Sequence, residues 1–455
     1  MNIVIFGTGL FYKNRKHEFN GYRIVAFFDN DLEKQGSELD NAAIISPAKW
    51  KSVDFDKIVL MSLQSVSMKM QLLNEGVEES KILDFNDFLY LRDRHKVEVY
   101  YGDSFGRKQN VLIISNPLDY TGAPIACLYA AMAMRKIGYK VTIAAEAGNR
   151  KFIDEITSHG INVCIYRYIC TGDESDLSWI RDFDHVIVNT FSMLPVVDSI
   201  KGFCKPIVWI HEAEQFYDKV NRVLDGSRLD FCRVFAVSTW AQENLRKKFP
   251  EVKSGILQYA IVDEACTSPD KRANNDVIRI GVIGYSCERK AQLDFLLAIK
   301  KLPCKYLNKL QVVLVGEILD DEYGNELRNE MDSLNFCYSI GSKSRKEMPG
   351  ILEDFDVIAV PSTDDPLPIV ATEGMMHRKV CLVSDHTGTA SFIKDRENGL
   401  IIKSGDHEDI RKHVMWLIDN KDELERIGQK SRCVYDEFFS MKSFENRLQN
   451  VLDGN

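Results

Sequence analysis

The sequence contains two carboxylates, Asp365 and Glu373, that are separated by seven residues at the start of a helical pattern. The apolar run at 357–360 predicts a strand, so Asp365 is expected in the loop at its carboxyl end. Glu373 is expected more than one turn inside the following helix. Carboxylates placed in this way can hold the hydroxyl groups of a ligand. An isolated pair with this spacing would indicate only an acidic loop and a solvated helix residue, so the flanking residues decide.

The start of that helix is a candidate anion site. Its first backbone N–H groups have no partners within the helix, and the helix dipole adds partial positive charge there. An anion at this position is stabilised by both effects. Pro368 precedes this start and has no N–H of its own, and the first N–H groups are those of Ile369 and Val370.

A second candidate site is formed by Arg289 and Lys290, in the loop between a predicted strand at 277–283 and a predicted helix at 292–301. Cations at such a loop can bind an anionic ligand. Taken alone, the pair would be explained by surface solubility.

Two further candidates follow predicted strands. His211 directly follows the strand at 206–210, and Gly122 lies in the loop after the strand at 111–115. Glycine allows a backbone to approach a ligand closely, and ligands of open α/β folds bind at the carboxyl ends of strands. A structural histidine and a simple strand-to-helix turn are the alternatives. Glu212, next to His211, is expected to bind an acceptor or to cap the following helix.

The elements that must position these residues are short apolar strands alternating with helices along nearly the whole chain. This alternation predicts an α/β fold with parallel sheets. The length of 455 residues is enough for about three domains. Glu264 to Asn275 is polar, contains Pro269 and is predicted to be a linker. The predicted domains are an N-terminal Rossmann-like module at 1–105, a second domain at 110–263, a third at 276–437, and a C-terminal helix at 438–455 that packs back on an earlier domain.

The motifs of residues 110–455 resemble those of the family 4 glycosyltransferases, which have the GT-B fold of two facing Rossmann-like domains. The resemblance rests on Pro361-Ser362, on the acids Asp365 and Glu373, and on a strand at 379–384. It continues through Gly388, Ile393 and Asn398-Gly399-Leu400. In this family the usual first acid is glutamate and the usual residue at 374 is alanine, where this chain has Asp365 and Gly374.

The resemblance implies a role for each candidate residue. Glu373 would contact the ribose of a nucleoside-diphosphate sugar, and Asp365 and His211 would contact the donor sugar as the catalytic residues. Lys290 would bind the diphosphate. Tyr285 stands where the family has an arginine, so Arg289 is expected to supply the missing charge. The loop with Gly122 would approach the donor phosphates, together with Pro368, Ile369 and Val370. The family retains the anomeric configuration and needs neither metal nor cofactor.

The N-terminal module begins with a strand followed by Gly7-Thr8-Gly9, and Asp29 ends the next strand. This pattern partly matches a dinucleotide-binding fingerprint, but Tyr12 stands at the third glycine position. The module resembles Rossmann-like domains attached to polysaccharide-biosynthesis enzymes. A structural or partner-binding role and nucleotide binding both remain open.

Bulk properties exclude several classes of protein. The net charge of −9 argues against a nucleic-acid binder. No apolar run reaches the roughly 18 residues of a spanning helix, and the N-terminus lacks a secretory signal. The eleven cysteines are scattered and are expected to be free thiols in a reducing compartment. These features predict a cytoplasmic protein, with the inner face of the membrane as a place of peripheral association. The basic run at 246–248 is expected to be a solvated helix face or to contact a charged surface.

The sequence therefore predicts a retaining, metal-independent glycosyltransferase of the hexosyltransferase type that takes part in polysaccharide or glycoprotein glycan assembly. Its expected ligands are a nucleoside-diphosphate sugar and a glycan, glycoprotein or lipid-linked acceptor. One alternative is a non-catalytic subunit that binds nucleotide sugars and serves a partner glycosyltransferase. Another is an oxidoreductase that works through the N-terminal module, against which the missing third glycine argues.

Overall fold

The computed structural model describes residues 1–102, 109–220, 226–265 and 276–454. The chain divides into two compact units, Met1–Lys96 and Val97–Asn455. The predicted boundary at 105 is too late, because Glu98–Tyr100 forms a strand that pairs antiparallel with Asn162–Ile165 in the second unit. Most of the predicted linker, residues 266–275, lies outside the described residues.

The N-terminal unit is a three-layer α/β module around a six-stranded sheet with the order β3-β4-β2-β1-β5-β6. Only β3 among its described strands runs antiparallel to its neighbour. Apolar clusters fill both faces of the sheet. Its strands are β1 (Asn2–Phe6), β2 (Arg23–Phe28), β3 (Glu38–Leu39), β4 (Ala42–Ile45), β5 (Lys57–Leu60) and β6 (Ile82–Asp84), and its helices are α1 (Leu10–Lys13), α2 (Ser65–Asn74) and α3 (Phe85–Asp93).

The second unit begins with an eight-stranded sheet that has the order β14-β13-β12-β11-β8-β9-β10-β7. All its described strands except the edge strand β7 are parallel. The strands are β7 (Glu98–Tyr100), β8 (Asn110–Ser115), β9 (Lys140–Ala145), β10 (Asn162–Ile165), β11 (His185–Asn189), β12 (Ile207–Ile210), β13 (Arg233–Ala236) and β14 (Ser254–Ile256). The helices are α4 (Gly122–Lys136), α5 (Arg150–Ser158), α6 (Val196–Ile200), α7 (Glu214–Val220) and α8 (Thr239–Lys248).

The third sheet is parallel throughout its six described strands, in the order β17-β16-β15-β18-β19-β20. They are β15 (Ile278–Ile283), β16 (Leu310–Val315), β17 (Cys337–Ser339), β18 (Val357–Val360), β19 (Val380–Ser384) and β20 (Leu400–Ile402). The helices are α9 (Gln292–Ile299), α10 (Cys304–Leu307), α11 (Glu322–Asp332), α12 (Met348–Glu353), α13 (Ile369–Met376), α14 (His407–Asp419), α15 (Leu424–Val434) and α16 (Met441–Leu452).

The strand sequences explain the parallel arrangement. β18 and β19 are Val-Ile-Ala-Val and Val-Cys-Leu-Val-Ser, and every residue in them is buried. Strands covered by helices on both faces read as continuous apolar runs of this kind, with many β-branched residues. The α/β class predicted from the sequence is therefore confirmed.

The domain with the eight-stranded sheet is called the middle domain, and the domain with the third sheet is called the third domain. The last helix, α16, returns to the middle domain and packs along α4. Its apolar side chains Phe444, Leu448 and Val451 are buried in the same core as that domain. The Arg233 side chain on β13 donates from Nη1 to the Val451 carbonyl oxygen at 2.7 Å. The chain thus crosses from the third domain back to the second, which ties the two domains of the unit together.

Close backbone approach shapes the loop that follows β15. Gly284 has φ +140° and Gly316, after β16, has φ +144°. A Cβ atom at Gly316 would lie 2.2 Å from the Gly284 carbonyl oxygen, so a side chain cannot fit there. The two glycines let the ends of β15 and β16 turn side by side, and the β15 loop then carries Arg289 and Lys290 forward.

Candidate active site

The loop between β18 and α13 carries Asp365 and is fixed by its own backbone. The Asp365 N–H donates to the His386 carbonyl oxygen at 3.0 Å, and the Gly388 N–H donates to the Asp365 carbonyl oxygen at 2.9 Å. A Cβ atom at position 388 would lie 1.8 Å from the Pro366 carbonyl oxygen. Gly388 therefore allows the segment after β19 to close against this loop, which holds Asp365 at the carboxyl edge of the sheet.

Asp365 binds both predicted phosphate-binding cations. Its Oδ2 atom accepts from Lys290 Nζ at 2.6 Å and from Arg289 Nη1 at 3.2 Å. The residue is 5% exposed. Burial favours the neutral carboxyl, but the two cations outweigh this effect and lower the pKa of Asp365 below its usual value. The three side chains, one carboxylate and two cations, therefore together carry one net positive charge.

The Arg289 side chain connects this cluster to the rest of the loop. Its Nη1 atom also donates to the Asp364 carbonyl oxygen at 2.8 Å. The Arg289 carbonyl oxygen in turn accepts from the Thr363 N–H at 2.9 Å. Arg289 is thus held by the segment that carries Asp365, whereas Tyr285, at the position of the family arginine, is about half exposed.

Glu373 lies on α13, as the sequence predicted, and its side chain is 13% exposed. Its Oε1 atom is 3.7 Å from Arg345 Nη1. Burial raises the pKa of Glu373 to about 7, against the attraction of Arg345 and with a smaller contribution from Glu264. This carboxyl group therefore changes its charge near neutral pH. The binding of any ligand that needs the carboxylate then depends on pH.

His211 follows the end of β12, and its ring meets the Trp209 ring edge to face at a centroid distance of 4.5 Å. Burial lowers the pKa of His211 to about 3, so the imidazole is neutral at neutral pH. Its Nε2 atom is buried and has no hydrogen-bond partner among the described residues. A buried ring nitrogen without a partner is available to a ligand, whose hydroxyl group could satisfy it.

Glu212 fixes the backbone around His211. Its two carboxylate oxygens accept from the Phe191 N–H and from the His211 N–H, both at 2.9 Å. These bonds join the loop after β11 to the end of β12. Burial raises the pKa of Glu212 to about 7 even though these bonds favour the ionised form. The sequence left acceptor binding and capping of the following helix open, but both carboxylate oxygens instead accept from N–H groups outside that helix.

The start of α4 faces the start of α13. A Cβ atom at Gly122 would lie 3.9 Å from Ile369 Cδ1, which is the nearest contact at that position. Gly122 is the first residue of α4, and Ile369 is the first residue of α13. The N-terminal turns of two helices from different domains therefore approach one another, beside Pro368 and Val370.

Asp364, which sequence analysis did not select, joins the two domains. Its Oδ2 atom accepts from the Gln215 N–H at 2.9 Å, and its Oδ1 atom accepts from Trp240 Nε1 at 2.8 Å. Ser238 donates to the Pro366 carbonyl oxygen, and Tyr259 donates to that of Leu367. The loop that holds Asp365 is thus bound along its length by residues of the middle domain.

We expect Asp364→Asn to weaken this junction. The two N–H groups need one acceptor oxygen each, and an amide has a single oxygen. The loss of a hydrogen bond to a charged group costs about 1.5–3 kcal/mol. The temperature of thermal unfolding should therefore fall. Differential scanning calorimetry measures this effect. Trp240→Phe removes one donor and leaves the carboxylate bound to Gln215, so it should have the smaller effect; equal stability of Asp364→Asn and wild type would contradict the argument.

Family comparisons agree with this geometry. Residues 107–258 match the model of the glycosyl-transferase family 4, and residues 267–433 match that of glycosyl transferases group 1. The two matches follow one another across the middle and third domains. The chain belongs to the family 4 glycosyltransferases. Residues 1–83 of this glycosyltransferase match the model described as C2185-like, N-terminal.

Curated relatives are distant. This glycosyltransferase is 22% identical over 342 residues to an uncharacterized glycosyltransferase of Haemophilus influenzae, a match that covers 71% of this chain and 94% of the relative. It is 24% identical over 120 residues to an uncharacterized glycosyltransferase of Methanocaldococcus jannaschii. The latter match spans only 33% of that protein and 26% of this chain.

Solved structures share the fold. Anabaena HepE in complex with UDP and glucose superposes with a TM-score of 0.66 at 16% identity, covering 76% of this chain and all of that one. Sucrose-phosphate synthase from Thermosynechococcus elongatus gives a TM-score of 0.61 at 14% identity, covering 76% of this chain and 98% of that one. The middle and third domains of this glycosyltransferase therefore have the GT-B architecture.

In the N-terminal unit, Asp29 is bound within the unit itself. It accepts from the Thr8 N–H at 3.2 Å and from the Thr8 hydroxyl, and it lies 3.3 Å from Lys34 Nζ. Burial alone would raise the pKa of Asp29, but these bonds lower it. The acid that would hold a ribose in a dinucleotide fold thus already has partners, and α1 is only four residues long. Both observations favour the structural or partner-binding role over nucleotide binding.

Other sequence-level expectations concern the surface. On α8, Lys247 and Lys248 lie 3.7 Å and 3.9 Å from Glu214 and Asp218 on α7, which is the arrangement of a solvated helix face. Among the described residues, no helix is long and apolar enough to cross a bilayer. Within the same residues, no group of three or more His, Cys, Asp or Glu side chains is arranged to hold a metal ion.

Proposed function

We propose that this glycosyltransferase moves a sugar from a nucleoside-diphosphate sugar to an acceptor hydroxyl with retention of the anomeric configuration. The observation that carries the proposal is the cluster of Lys290, Arg289 and the buried Asp365, whose three side chains together carry one net positive charge beside the start of α13. HepE, which shares the fold, has been crystallised with UDP-glucose. A UDP-hexose is therefore the first donor to test.

The proposed arrangement of the donor follows the charges. The diphosphate lies against Lys290 and Arg289 and the N-terminal turns of α13 and α4, at Pro368, Ile369, Val370 and Gly122. The ribose hydroxyls of the donor nucleotide are held by Glu373. The sugar then extends toward His211, where a neutral ring nitrogen without a described protein partner can bond a sugar hydroxyl.

In the proposed reaction, the cations stabilise the negative charge that the diphosphate gains as the bond to the sugar carbon breaks. Asp365 keeps both cations oriented, because they share its Oδ2 atom. The acceptor hydroxyl attacks from the side of the middle domain, and its proton passes to the departing phosphate oxygen. Lys290 and Arg289 supply the positive charge, so the reaction is proposed to be independent of a metal. Closure of the two domains excludes water.

The biological setting is part of the proposal. The N-terminal module resembles modules of polysaccharide-biosynthesis enzymes, so the acceptor is proposed to be a growing glycan, free or carried by a protein or lipid. A lipid-linked acceptor would bring the protein to the inner face of the membrane. Incorporation of radiolabelled sugar into membrane-bound or soluble glycan would distinguish these acceptors.

The test is release of UDP and GDP from a panel of sugar nucleotides, comparing wild type with Glu373→Ala. A parallel thermal-shift measurement detects donors that bind but hydrolyse slowly without acceptor. Release from one donor, lost in the variant, would establish the reaction and identify the donor. Silence in both measurements would overturn the proposal and favour the non-catalytic subunit, for which activation of a partner glycosyltransferase is the readout.

A further inference from the structure

Arg345 lies in the loop between β17 and α12 and reaches two residues at once. Its Nη1 atom is 3.7 Å from Glu373 Oε1. Its Nη2 atom donates to the Tyr129 hydroxyl, and its guanidinium lies 5.3 Å from the centroid of the Tyr129 ring. The Arg345 side chain is 22% exposed.

The contact with Tyr129 crosses the cleft between the domains. Tyr129 is buried on α4 of the middle domain, whereas Arg345 and Glu373 belong to the third domain. The helix that carries Tyr129, α4, begins at Gly122, opposite Ile369 at the start of α13. The helix of Glu373 is thus met twice by α4, once at its start and once through Arg345.

We propose that Arg345 is a positioning residue for the ribose end of the donor, which holds the Glu373 carboxylate toward the ribose hydroxyls while Tyr129 holds Arg345 from the opposite domain. This inference rests on the proposed function and names the part of the site that selects a ribonucleotide. Because Tyr129 lies on the other domain, the carboxylate is held best when the cleft is closed.

Charge explains why Glu373 needs this partner. The described ionisable groups that act on Glu373, or on which it acts, are Arg345, Glu264, Tyr129 and Tyr259. Arg345 is the cation of this group, while burial and Glu264 favour the protonated form. Removing Arg345 therefore raises the pKa of Glu373 further above its value of about 7. At neutral pH the group would then be mostly protonated and a weaker acceptor for hydroxyl groups.

The experiment measures the preference for ribose directly. Isothermal titration calorimetry compares UDP with 2′-deoxy-UDP, and GDP with 2′-deoxy-GDP, at pH 6, 7.5 and 9. The full-length chain is used as wild type, Arg345→Met, Arg345→Lys and Tyr129→Phe. Lys346→Met is the matched control, because this neighbouring cation is exposed in the same loop.

Wild type and Lys346→Met are expected to prefer the ribonucleotide by about 10-fold at pH 7.5, the value of one charge-assisted hydrogen bond. The preference should weaken as the pH falls through about 7. In Arg345→Met it should be lost at pH 7.5 and return at pH 9, where Glu373 ionises without help. Arg345→Lys should restore most of it, and Tyr129→Phe should lose part of it.

A preference in Arg345→Met equal to that of wild type at every pH would overturn the inference. So would a loss that persists at pH 9, since simple structural damage does not recover with pH. Failure of the proposed function has a different signature, because wild type would then bind none of the four nucleotides. Binding with no preference for ribose in wild type would reject this inference alone.

Discussion

Glu373→Ala should lower the catalytic efficiency for the donor by about 100-fold or more while the protein stays folded. The carboxylate has two oxygens for two ribose hydroxyls, and each charge-assisted hydrogen bond is worth about 1.5–3 kcal/mol. A total of about 3 kcal/mol corresponds to roughly 100-fold. Because donor binding is lost from both ground and transition states, KM for the donor should rise at least as much as kcat falls.

Glu373→Gln refines this expectation. Glutamine keeps the shape and one acceptor, so the catalytic efficiency for the donor should fall by only about 10-fold. The efficiency of this variant should no longer depend on pH near 7. The control is Glu326→Ala, an exposed glutamate on α11 of the same domain, which should behave as wild type. Steady-state kinetics with varied donor distinguishes the variants. Wild-type efficiency in Glu373→Ala would show that the donor is held elsewhere.

The side chains near Glu373 also show what the sequence can and cannot predict. Glu373 and Asp365 are recognisable because their spacing and the flanking Pro361-Ser362 form one continuous motif. Arg345 stands alone in a polar loop, and its partner Tyr129 is more than 200 positions away. No local pattern connects the two, because the contact exists only after two domains have packed together.

Asp364 and Asp365 make the same point at adjacent positions. Both are buried acids in one loop, but one binds cations of its own domain and the other binds N–H groups of the middle domain. The direction of each side chain depends on the loop backbone, which is set by contacts such as that of Gly388 with Pro366. Sequence spacing predicted the strands and the helix around this loop, and the sequence also indicated Arg289 and Lys290 as the cations of the site. It could not predict the orientation of two neighbouring aspartates.

The boundary of the N-terminal module was misplaced for a related reason. Glu98–Tyr100 is a short strand directly after the module, and nothing in three residues indicates which sheet they join. Pairing with β10 decides it, and β10 lies about 60 positions later. Strand existence follows from local pattern, whereas strand partners follow from the packing of the whole unit.

Asp365→Asn should be the most damaging single change in the cation cluster. Removing the charge leaves Lys290 and Arg289 close together without their shared carboxylate, and breaking a buried ion pair costs about 3–5 kcal/mol. We expect a fall in melting temperature of about 6 °C or more, at 2–4 °C per kcal/mol for domains of this size. Transfer should fall as well, because the cations are no longer held in place for the diphosphate.

Two further variants make this prediction specific. Asp320→Asn removes a carboxylate that pairs with Arg328 in the same domain but is 99% exposed, so it should cost less than about 1 kcal/mol. Asp365→Glu restores the acid usual in the family and keeps the charge. This variant should therefore be about as stable as wild type, and its rate of transfer should stay within about 10-fold. Thermal unfolding with and without UDP adds the decisive comparison. A diphosphate supplies the negative charge that Asp365→Asn lacks, so UDP should stabilise this variant more than wild type. An equal or smaller gain would mean that the two cations do not face the nucleotide.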